Sequence, residues 1–300
     1  MKLTQIRDFL AVVECGGVRA AARKLGVAPP TLSKSVNDLE TGLHAQLLAR
    51  SSRGVALTPA GRAFHARAQV AVTELRKAEE EAARSGGSGA GTVTFSMGLI
   101  GVTAVLPEAM ARFRHQFPLA RVHIIEGFAP LMQADLRNET LDFAFGLKSA
   151  KPVDVGIHFR PLFRVKLAVY ARKGHPLSRA RSLADLASAD WLDYGNLWAA
   201  GATAEALFRS AGLEPPRPIV RCASYSAATS LMLHNDMLSL THQYNLGRFP
   251  THKALQAIPV TETMPSLTVG LYTRVGTPLT RVAAAMVQHV TAVAGEVARA

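Results

Sequence analysis

The sequence predicts an α+β multidomain protein in which a small helical part is joined by one long helix to a larger α/β part. In residues 1–58, apolar residues recur at helical spacing in three short segments. From residue 92 onward, short apolar strands alternate with helical segments, which is typical of α/β domains. A run of small residues, 85–91, separates the two patterns and predicts a flexible joint.

The N-terminal part predicts a helix-turn-helix followed by a basic hairpin. A first helix ends near Gly16, a second covers residues 18–25, and a third begins near Pro29. Residues 49–57 hold two arginines among small residues and predict a tight hairpin. Two short helices joined by a glycine turn place the second helix in the major groove of DNA, and the hairpin then lies as a wing over the phosphate backbone.

Polar side chains lie on the third helix opposite its apolar stripe, and hydroxyl, amide and ammonium groups are those that reach base edges and phosphates. Residues 1–70 hold ten Lys or Arg and four Asp or Glu, which gives a formal charge of +6. The alternative is a basic three-helix interaction module, but the order of helix, glycine turn, helix, basic hairpin and long helix favours DNA binding. The residues predicted to contact DNA are Arg19, Pro30, Thr31, Ser33, Lys34, Asn37, Arg50 and Arg53.

One long helix is predicted from an N-cap at Thr58 and a first-turn proline at Pro59 to about Arg84. At about 1.5 Å per residue, its roughly 26 residues span about 39 Å. Its apolar stripe is narrow, which predicts a partner helix from a second copy of the chain. The alternative is an amphipathic helix lying on its own domain. The stripe consists of Ala60, Phe64, Ala68, Ala71, Leu75, Ala78 and Ala82.

The C-terminal part predicts an α/β fold around a mainly parallel sheet, with room for two small lobes and a cleft between them. Thr103 and Ser226 precede two of its helices, where unpaired backbone N–H groups attract anions, although ordinary helix capping is the alternative for each. Strands are predicted at residues 93–97, 122–125, 141–145, 166–170, 219–222, 237–240 and 267–272. Helices are predicted at residues 107–117, 131–138, 202–211, 227–234 and 278–298.

Short motifs follow one another along the whole chain. Residues 20–25 hold an Ala-Ala-x-x-Leu segment, residues 33–40 read Ser-x-x-Val-x-x-Leu-Glu, and residues 57–61 read Leu-Thr-Pro-Ala-Gly. Glu-Gly at 126–127 and Gly-His-Pro-Leu at 174–177 come next. In this order and at these spacings, the sequence resembles the LysR-type transcriptional regulators along its whole length.

The resemblance implies three regions. Residues 1–58 would form a winged helix-turn-helix DNA-binding domain, and residues 59–91 a dimerising linker helix and hinge. Residues 92–300 would form an effector-binding domain similar to periplasmic binding proteins, with two Rossmann-like lobes. Lobe I is expected at 92–161 plus 266–300, and lobe II at 162–265.

A small effector is expected between the lobes, near the carboxyl ends of strands. The effector would modulate DNA binding or transcription activation by the regulator, which would act as an activator or a repressor. The regulator would contact a promoter with an interrupted dyad. The resemblance also implies a homodimer and suggests a homotetramer. The effector-binding residues that it implies are Gly101, Val102, Thr103, Phe128, Leu147, Ser149, Trp198, Thr203, Ser224, Ser226 and Thr241.

The charge of the C-terminal part predicts an organic anion as effector. Residues 85–300 hold 21 Lys or Arg and 14 Asp or Glu, an excess of +7 that raises the local concentration of anions. Hydroxyl groups such as that of Thr103 would bind a carboxylate, and Phe128 and Trp198 would enclose an aromatic body. The alternative is that the excess positive charge serves DNA wrapping.

Other classes of protein fit the sequence less well. The two cysteines show no CxxC spacing, and the ten histidines lack metal-ligand spacing, so neither a metal nor a cofactor is expected. GxSxG and GxxxxGK[ST] are absent, so we expect no enzyme. A solute-binding transport protein would need a signal peptide, and the sequence shows neither that nor an 18-residue apolar run, which predicts a cytoplasmic protein away from membranes. A nucleoid-type architectural protein would not need the C-terminal 200 residues or so.

Overall fold

The computed structural model describes residues 1–51, 54–83, 90–194, 200–216, 218–242 and 253–299. The chain divides near Gly86 into two compact units. The first unit contains the predicted helix-turn-helix and the second contains a mixed sheet flanked by helices.

Three short helices open the first unit, namely α1 at Leu3–Glu14, α2 at Val18–Leu25 and α3 at Pro29–Leu43. Gly26 ends α2 at φ 68, in the left-handed region that glycine adopts without strain. Proline occupies the first turn of α3, where its missing N–H costs no hydrogen bond. Glycine and proline at the helix ends therefore set the boundaries of the helix-turn-helix. The three predicted helices are confirmed.

A hairpin and a long helix complete this unit. Strands β1 at Leu48–Ser51 and β2 at Gly54–Leu57 pair antiparallel. Helix α4 covers Pro59–Ala83, and its first turn is capped by Thr58, whose Oγ1 accepts a hydrogen bond from the Gly61 N–H at 2.9 Å. The hairpin and the long helix are thus confirmed close to their predicted bounds.

The second unit alternates strands and helices. Its described strands are β3 at Gly91–Met97, β4 at Ala120–Glu126, β5 at Phe143–Leu147, β6 at Ile157–Arg172, β7 at Trp191–Tyr194, β8 at Pro218–Cys222, β9 at Leu238–His242, β10 at Leu255–Ala257 and β11 at Ser266–Arg274. Its described α-helices are α5 at Leu106–Gln116, α6 at Ala129–Arg137, α7 at Ala204–Ser210, α8 at Tyr225–His234 and α9 at Arg281–Arg299. A π-helical turn at Gly101–Val105 leads into α5.

The strands join in the order β4-β3-β5-β11-β6-β9-β7-β8, with β10 also paired to β6. Strand β3 is parallel to β4 and β5, and β7 is parallel to β8 and β9. Strands β6 and β11, however, run antiparallel to each other and to their other neighbours. The prediction of a mainly parallel sheet was therefore wrong, because these two central strands carry the chain between two parallel groups and must run in opposite directions.

The two largest apolar clusters of this unit lie on different parts of the sheet, which gives the unit two lobes. The first core includes Phe95 and Phe143, whose rings stack with centroids 4.8 Å apart. The second includes Trp191 and Phe208, whose rings meet edge to face at 5.5 Å. The 16-residue strand β6 contributes to both cores, so it links the two lobes. Its first half was not predicted, because Pro161 interrupts the run there and proline argues against a strand.

Candidate functional sites

The first candidate site is one face of α3. Pro30, Thr31, Lys34 and Asn37 are exposed there, and Ser33 is half-buried. Their spacing of three and four residues places them on one side of the helix, and the opposite side packs into the core of the unit. The face therefore presents a hydroxyl, an ammonium and an amide together, the groups that contact base edges and phosphates.

Hydrogen bonds hold α3 in place between α1 and the hairpin. Ser35 Oγ donates to the Asp8 carboxylate of α1 at 2.5 Å. Glu40 Oε1 accepts from the backbone N–H groups of Leu47 and Leu48 at 2.7 and 2.9 Å, which ties the end of α3 to β1. The glutamate of the 33–40 motif thus has a structural role that fixes the hairpin next to the exposed face.

The remaining predicted DNA contacts lie around this face. Arg19 is exposed in the first turn of α2. Arg53 lies outside the described residues, and for Arg50 only the backbone within β1 is described. The wing contacts stay predictions.

The stripe of α4 divides into two halves. Phe64 packs edge to face on Phe9 of α1 with centroids 5.4 Å apart, and Ala68 is buried. Farther along, Ala71 and Ala78 are exposed, and 45% of the Leu75 surface is exposed. Phe64 and Ala68 are therefore covered within the chain, whereas the part of the stripe around Leu75 is open to a partner.

The second candidate site is a cavity of about 620 Å³ between the two lobes. It opens at the carboxyl ends of parallel strands, because Glu126 ends β4, Tyr194 ends β7 and Ala223 follows β8. Ligands of α/β sheets bind at such strand ends, and the volume falls within the roughly 300–1,000 Å³ of ligand pockets. The other lining residues are Leu99, Val102, Gly127, Phe128, Ser224, Tyr225, Ser226, Thr229, Ser230, Leu233 and His234.

A carboxylate and two phenols meet in this cavity. The buried Tyr194 and the exposed Glu126 both line it. Burial raises the pKa of Tyr194 well above its ordinary value, and the charge of Glu126 raises it further. Burial also raises the pKa of Tyr225 to about 12, against the opposing effect of its hydrogen bond with Thr229. Both phenols therefore stay neutral at physiological pH.

The N-terminus of α8 forms another side of the cavity. Ser224 is its N-cap and accepts a hydrogen bond from the Ala227 N–H at 3.4 Å. The Ser224 and Ser226 hydroxyl oxygens lie 3.0 Å apart and share a hydrogen bond. Together with Thr229 and Ser230, they supply hydroxyl groups that either donate or accept.

A second recess adjoins the cavity and shares Leu99, Gly127, Phe128 and Tyr194 with it. The predicted residues Leu147 and Thr241 line this recess. The structure thus brings together Val102, Phe128, Ser224 and Ser226 in the cavity and joins Leu147 and Thr241 to them through the recess.

Other predicted effector residues lie elsewhere. The Thr103 hydroxyl is buried and donates to the Leu99 carbonyl at 2.9 Å, within its own helical turn. Gly101 also lies in this turn, where an added Cβ would sit 2.4 Å from Met97 Cγ, so its role is close packing. We therefore do not propose these two residues as ligand contacts.

Ser149 and Thr203 also lie outside the lining of both spaces. The backbone N–H of Ser149 donates to the Tyr272 hydroxyl at 2.9 Å. Thr203 caps α7 by accepting from the Ala206 N–H at 3.0 Å, and it faces a separate cavity of about 540 Å³. Trp198 lies outside the described residues.

Sequence reasoning missed the chemically distinctive lining residues Glu126, Tyr194, Tyr225 and His234. The signal for Glu126 was present, because it is a polar residue directly after an apolar strand. Tyr194 could not be found in this way, since the short strand β7 was not predicted.

Two further observations concern the described residues alone. They contain no group of three or more His, Cys, Asp or Glu that could hold a metal ion. None of their helices combines the length and apolar character needed to cross a membrane.

Comparison with known proteins agrees with this architecture. The family model for the LysR-type bacterial regulatory helix-turn-helix protein matches residues 3–62, and that for the LysR substrate binding domain matches residues 86–295. The regulator TdcA of Escherichia coli is 30% identical over 266 residues, 86% of this chain and 82% of that protein. The regulator GalR of Pseudomonas putida is 28% identical over 277 residues, 91% of this chain and 69% of that protein.

Solved structures share the fold. Full-length CbnR complexed with its target DNA superimposes with a TM-score of 0.72 at 22% identity, covering 98% of this chain and all (100%) of that one. A helix-turn-helix unit followed by a substrate-binding domain defines a class of DNA-binding transcription regulators. The chain belongs to the LysR family of DNA-binding transcriptional regulators, with a substrate-binding domain in its C-terminal part.

Proposed function

We propose that a small molecule in the 620 Å³ cavity between the lobes modulates DNA binding or transcription activation by this protein. The observation that carries the proposal is the position of this cavity, at the carboxyl ends of strands from both lobes. A ligand that touches both lobes stabilises one arrangement of them over another, which is how ligands shift protein populations. The protein then acts by binding rather than by catalysis.

DNA binding is assigned to the exposed face of α3, with Lys34 and Asn37 at its centre and Arg19 beside it. The hairpin is proposed as the wing, and CbnR, which shares the fold, has been solved with its target DNA. The boundaries proposed for the domains are residues 1–58, 59–91 and 92–300.

The protein is further proposed to act as a dimer through α4, and higher assembly to a tetramer is an extension of this proposal. A single recognition helix reads one half-site, so a dimer matches an interrupted dyad. The exposed half of the α4 stripe around Leu75 supports the assignment, since nothing within the described chain buries it.

The charge of the effector is a separate question. The anion expected from the sequence rests on the net charge of residues 85–300. The described part of the cavity lining gives that expectation no support, because it includes a carboxylate at Glu126 and no Lys or Arg. The proposed function therefore leaves the charge open.

Filling the cavity should remove the response to ligand while leaving DNA binding intact. Ser230 lies on α8 and lines the cavity, so Ser230→Trp places a large ring in the ligand space. A metabolite library is screened by thermal shift, where a ligand at about 100 times its Kd stabilises the wild type by about 2.7 kcal/mol. We expect hits to lose their effect on Ser230→Trp, and to change DNA affinity or transcription in the wild type only.

The control is Ser188→Trp, at an exposed serine outside the cavity lining, which should respond to the hits as the wild type does. An equal response of Ser230→Trp would place the ligand elsewhere. A ligand that binds in the cavity without altering DNA binding or transcription would refute its regulatory role.

A further inference from the structure

The formal charges that line the cavity are unlike those of the domain as a whole. Among the lining residues that the structure describes, Glu126 is the one Asp or Glu, and there is no Lys or Arg. The Glu126 side chain is exposed and lines the cavity, and the ion pairs among the described residues do not include it. A carboxylate with no cationic partner among the described residues attracts a positively charged ligand group and repels a negative one.

A buried phenol lines the cavity together with this carboxylate. Tyr194 is only 7% exposed, and the charge of Glu126 helps to raise the pKa of its hydroxyl. The oxygens of a carboxylate accept hydrogen bonds from N–H donors. An ammonium or amidinium group offers such donors together with the complementary charge.

Aromatic rings line the same cavity as the carboxylate. Tyr194 and Tyr225 meet edge to face with centroids 5.6 Å apart, and Phe128 lines the same cavity. Aromatic rings attract cations through their quadrupole and also pack against apolar groups. Leu99, Val102 and Leu233 of the cavity lining extend this apolar surface.

The N-terminus of α8 is the feature that would favour an anion, yet one of its first-turn N–H groups, that of Ala227, already has a cap. Ser224 accepts from the Ala227 N–H, and its hydroxyl is shared with Ser226. These hydroxyls also accept N–H donors, so they suit a cationic nitrogen.

We propose that the effector carries a cationic nitrogen, an ammonium or amidinium group bound by Glu126, on an apolar or aromatic body packed against Phe128, Tyr194 and Tyr225. This inference rests on the proposed function for the choice of cavity and adds the chemical class of the ligand. It also replaces the organic anion expected from net charge, because a few groups in contact with the ligand outweigh charges spread over the outer surface.

Matched probes separate the effect of ligand charge from that of ligand shape. Calorimetric titration of the full chain uses three sets of compounds, and within each set the apolar group is the same while the polar group is an amine, an alcohol or a carboxylate. The sets are phenethylamine, phenethyl alcohol and 3-phenylpropionate; tryptamine, tryptophol and indole-3-propionate; and hexylamine, hexanol and heptanoate. In at least one set, we expect the amine to bind about tenfold or more tightly than both partners. Binding by no amine, or equal or tighter binding by the alcohol or the carboxylate in every set, overturns the proposal.

Two substitutions of the exposed Glu126 assign the charge to one residue. Glu126→Gln keeps the shape and should weaken amine binding about tenfold or more, and Glu126→Lys should abolish it and favour the carboxylates. Glu205→Gln, on α7 outside the cavity lining, removes the same charge from the same unit and should leave amine affinity unchanged. Unchanged amine affinity in Glu126→Gln also overturns the proposal.

The Ser230→Trp variant distinguishes a failure of the cavity assignment from a failure of the charge assignment. If carboxylates bind and Ser230→Trp blocks them, the cavity is the ligand site and only the charge assignment fails. If amines bind and Ser230→Trp does not block them, the cavity assignment fails and takes the present inference with it. Melting temperatures of the unliganded Glu126 and Ser230 variants should match the wild type, since both of these side chains are exposed.

Discussion

Gly61→Ala is expected to destabilise the first unit by about 3 kcal/mol or more and to abolish DNA binding. A Cβ at this position would lie 1.9 Å from the carbonyl oxygen and 2.8 Å from the carbonyl carbon of Leu47. That carbonyl also accepts the Thr58 N–H at 3.0 Å, and the Leu47 N–H is bound by Glu40. Because backbone atoms on both sides are anchored, the hairpin must shift away from α4, whereas alanine gains only about 1 kcal/mol in helix propensity.

Denaturant unfolding of the full chain, together with DNA titration by fluorescence anisotropy, checks this expectation. The matched control is Gly42→Ala, a helical glycine of α3 in the same unit, where the added Cβ would meet nothing closer than Met1 N at 4.0 Å. That control should be neutral or slightly stabilising. A Gly61→Ala protein with wild-type stability and DNA affinity would show that the close approach of α4 to the hairpin is not required.

Leu75→Asp is expected to convert the dimer into monomers. If the exposed half of the stripe packs on its counterpart, the substitution buries a carboxylate from each chain in an apolar interface, at a cost of about 3 kcal/mol or more. That cost corresponds to roughly a hundredfold increase in the dissociation constant of the dimer. Sedimentation velocity of the full chain over a concentration series measures it.

The control for the helix is Ala66→Asp, because Ala66 is exposed on α4 away from the stripe. This variant introduces the same charge and should remain dimeric. A Leu75→Asp protein that stays as tightly dimeric as the wild type would place the interface on another surface.

Features encoded by a few neighbouring residues could be predicted from the sequence. Glycine at the end of α2 and proline in the first turn of α3 set the turn of the helix-turn-helix, and Thr58 with Pro59 sets the start of α4. Sheet direction could not be predicted in the same way. The pairing of β6 with β11 joins segments about a hundred residues apart, and apolar runs look alike in parallel and antiparallel strands.

In the candidate ligand site too, some features could be predicted from the sequence and others could not. Strand-end positions such as Phe128 and Ser224 could be placed near the cavity because carboxyl ends of parallel strands converge. The direction in which a side chain points could not be predicted from the sequence. The Thr103 hydroxyl, for example, bonds back to its own helical turn. Net charge is a weak guide to the ligand, because it sums groups over the whole surface, whereas the described lining of the cavity has the sign of Glu126.

The most direct test of the account is the affinity of the Lys34→Ala protein for a genomic fragment selected by the wild type, measured by anisotropy at several salt concentrations. Lys34 lies exposed on α3, and loss of a phosphate contact should weaken binding and lower the slope of log affinity against log salt by about 1. Lys148→Ala, an exposed lysine of the second unit, is the matched control and should keep the wild-type affinity and slope. Unchanged affinity and slope in Lys34→Ala would contradict the assignment of α3 as the DNA-reading helix.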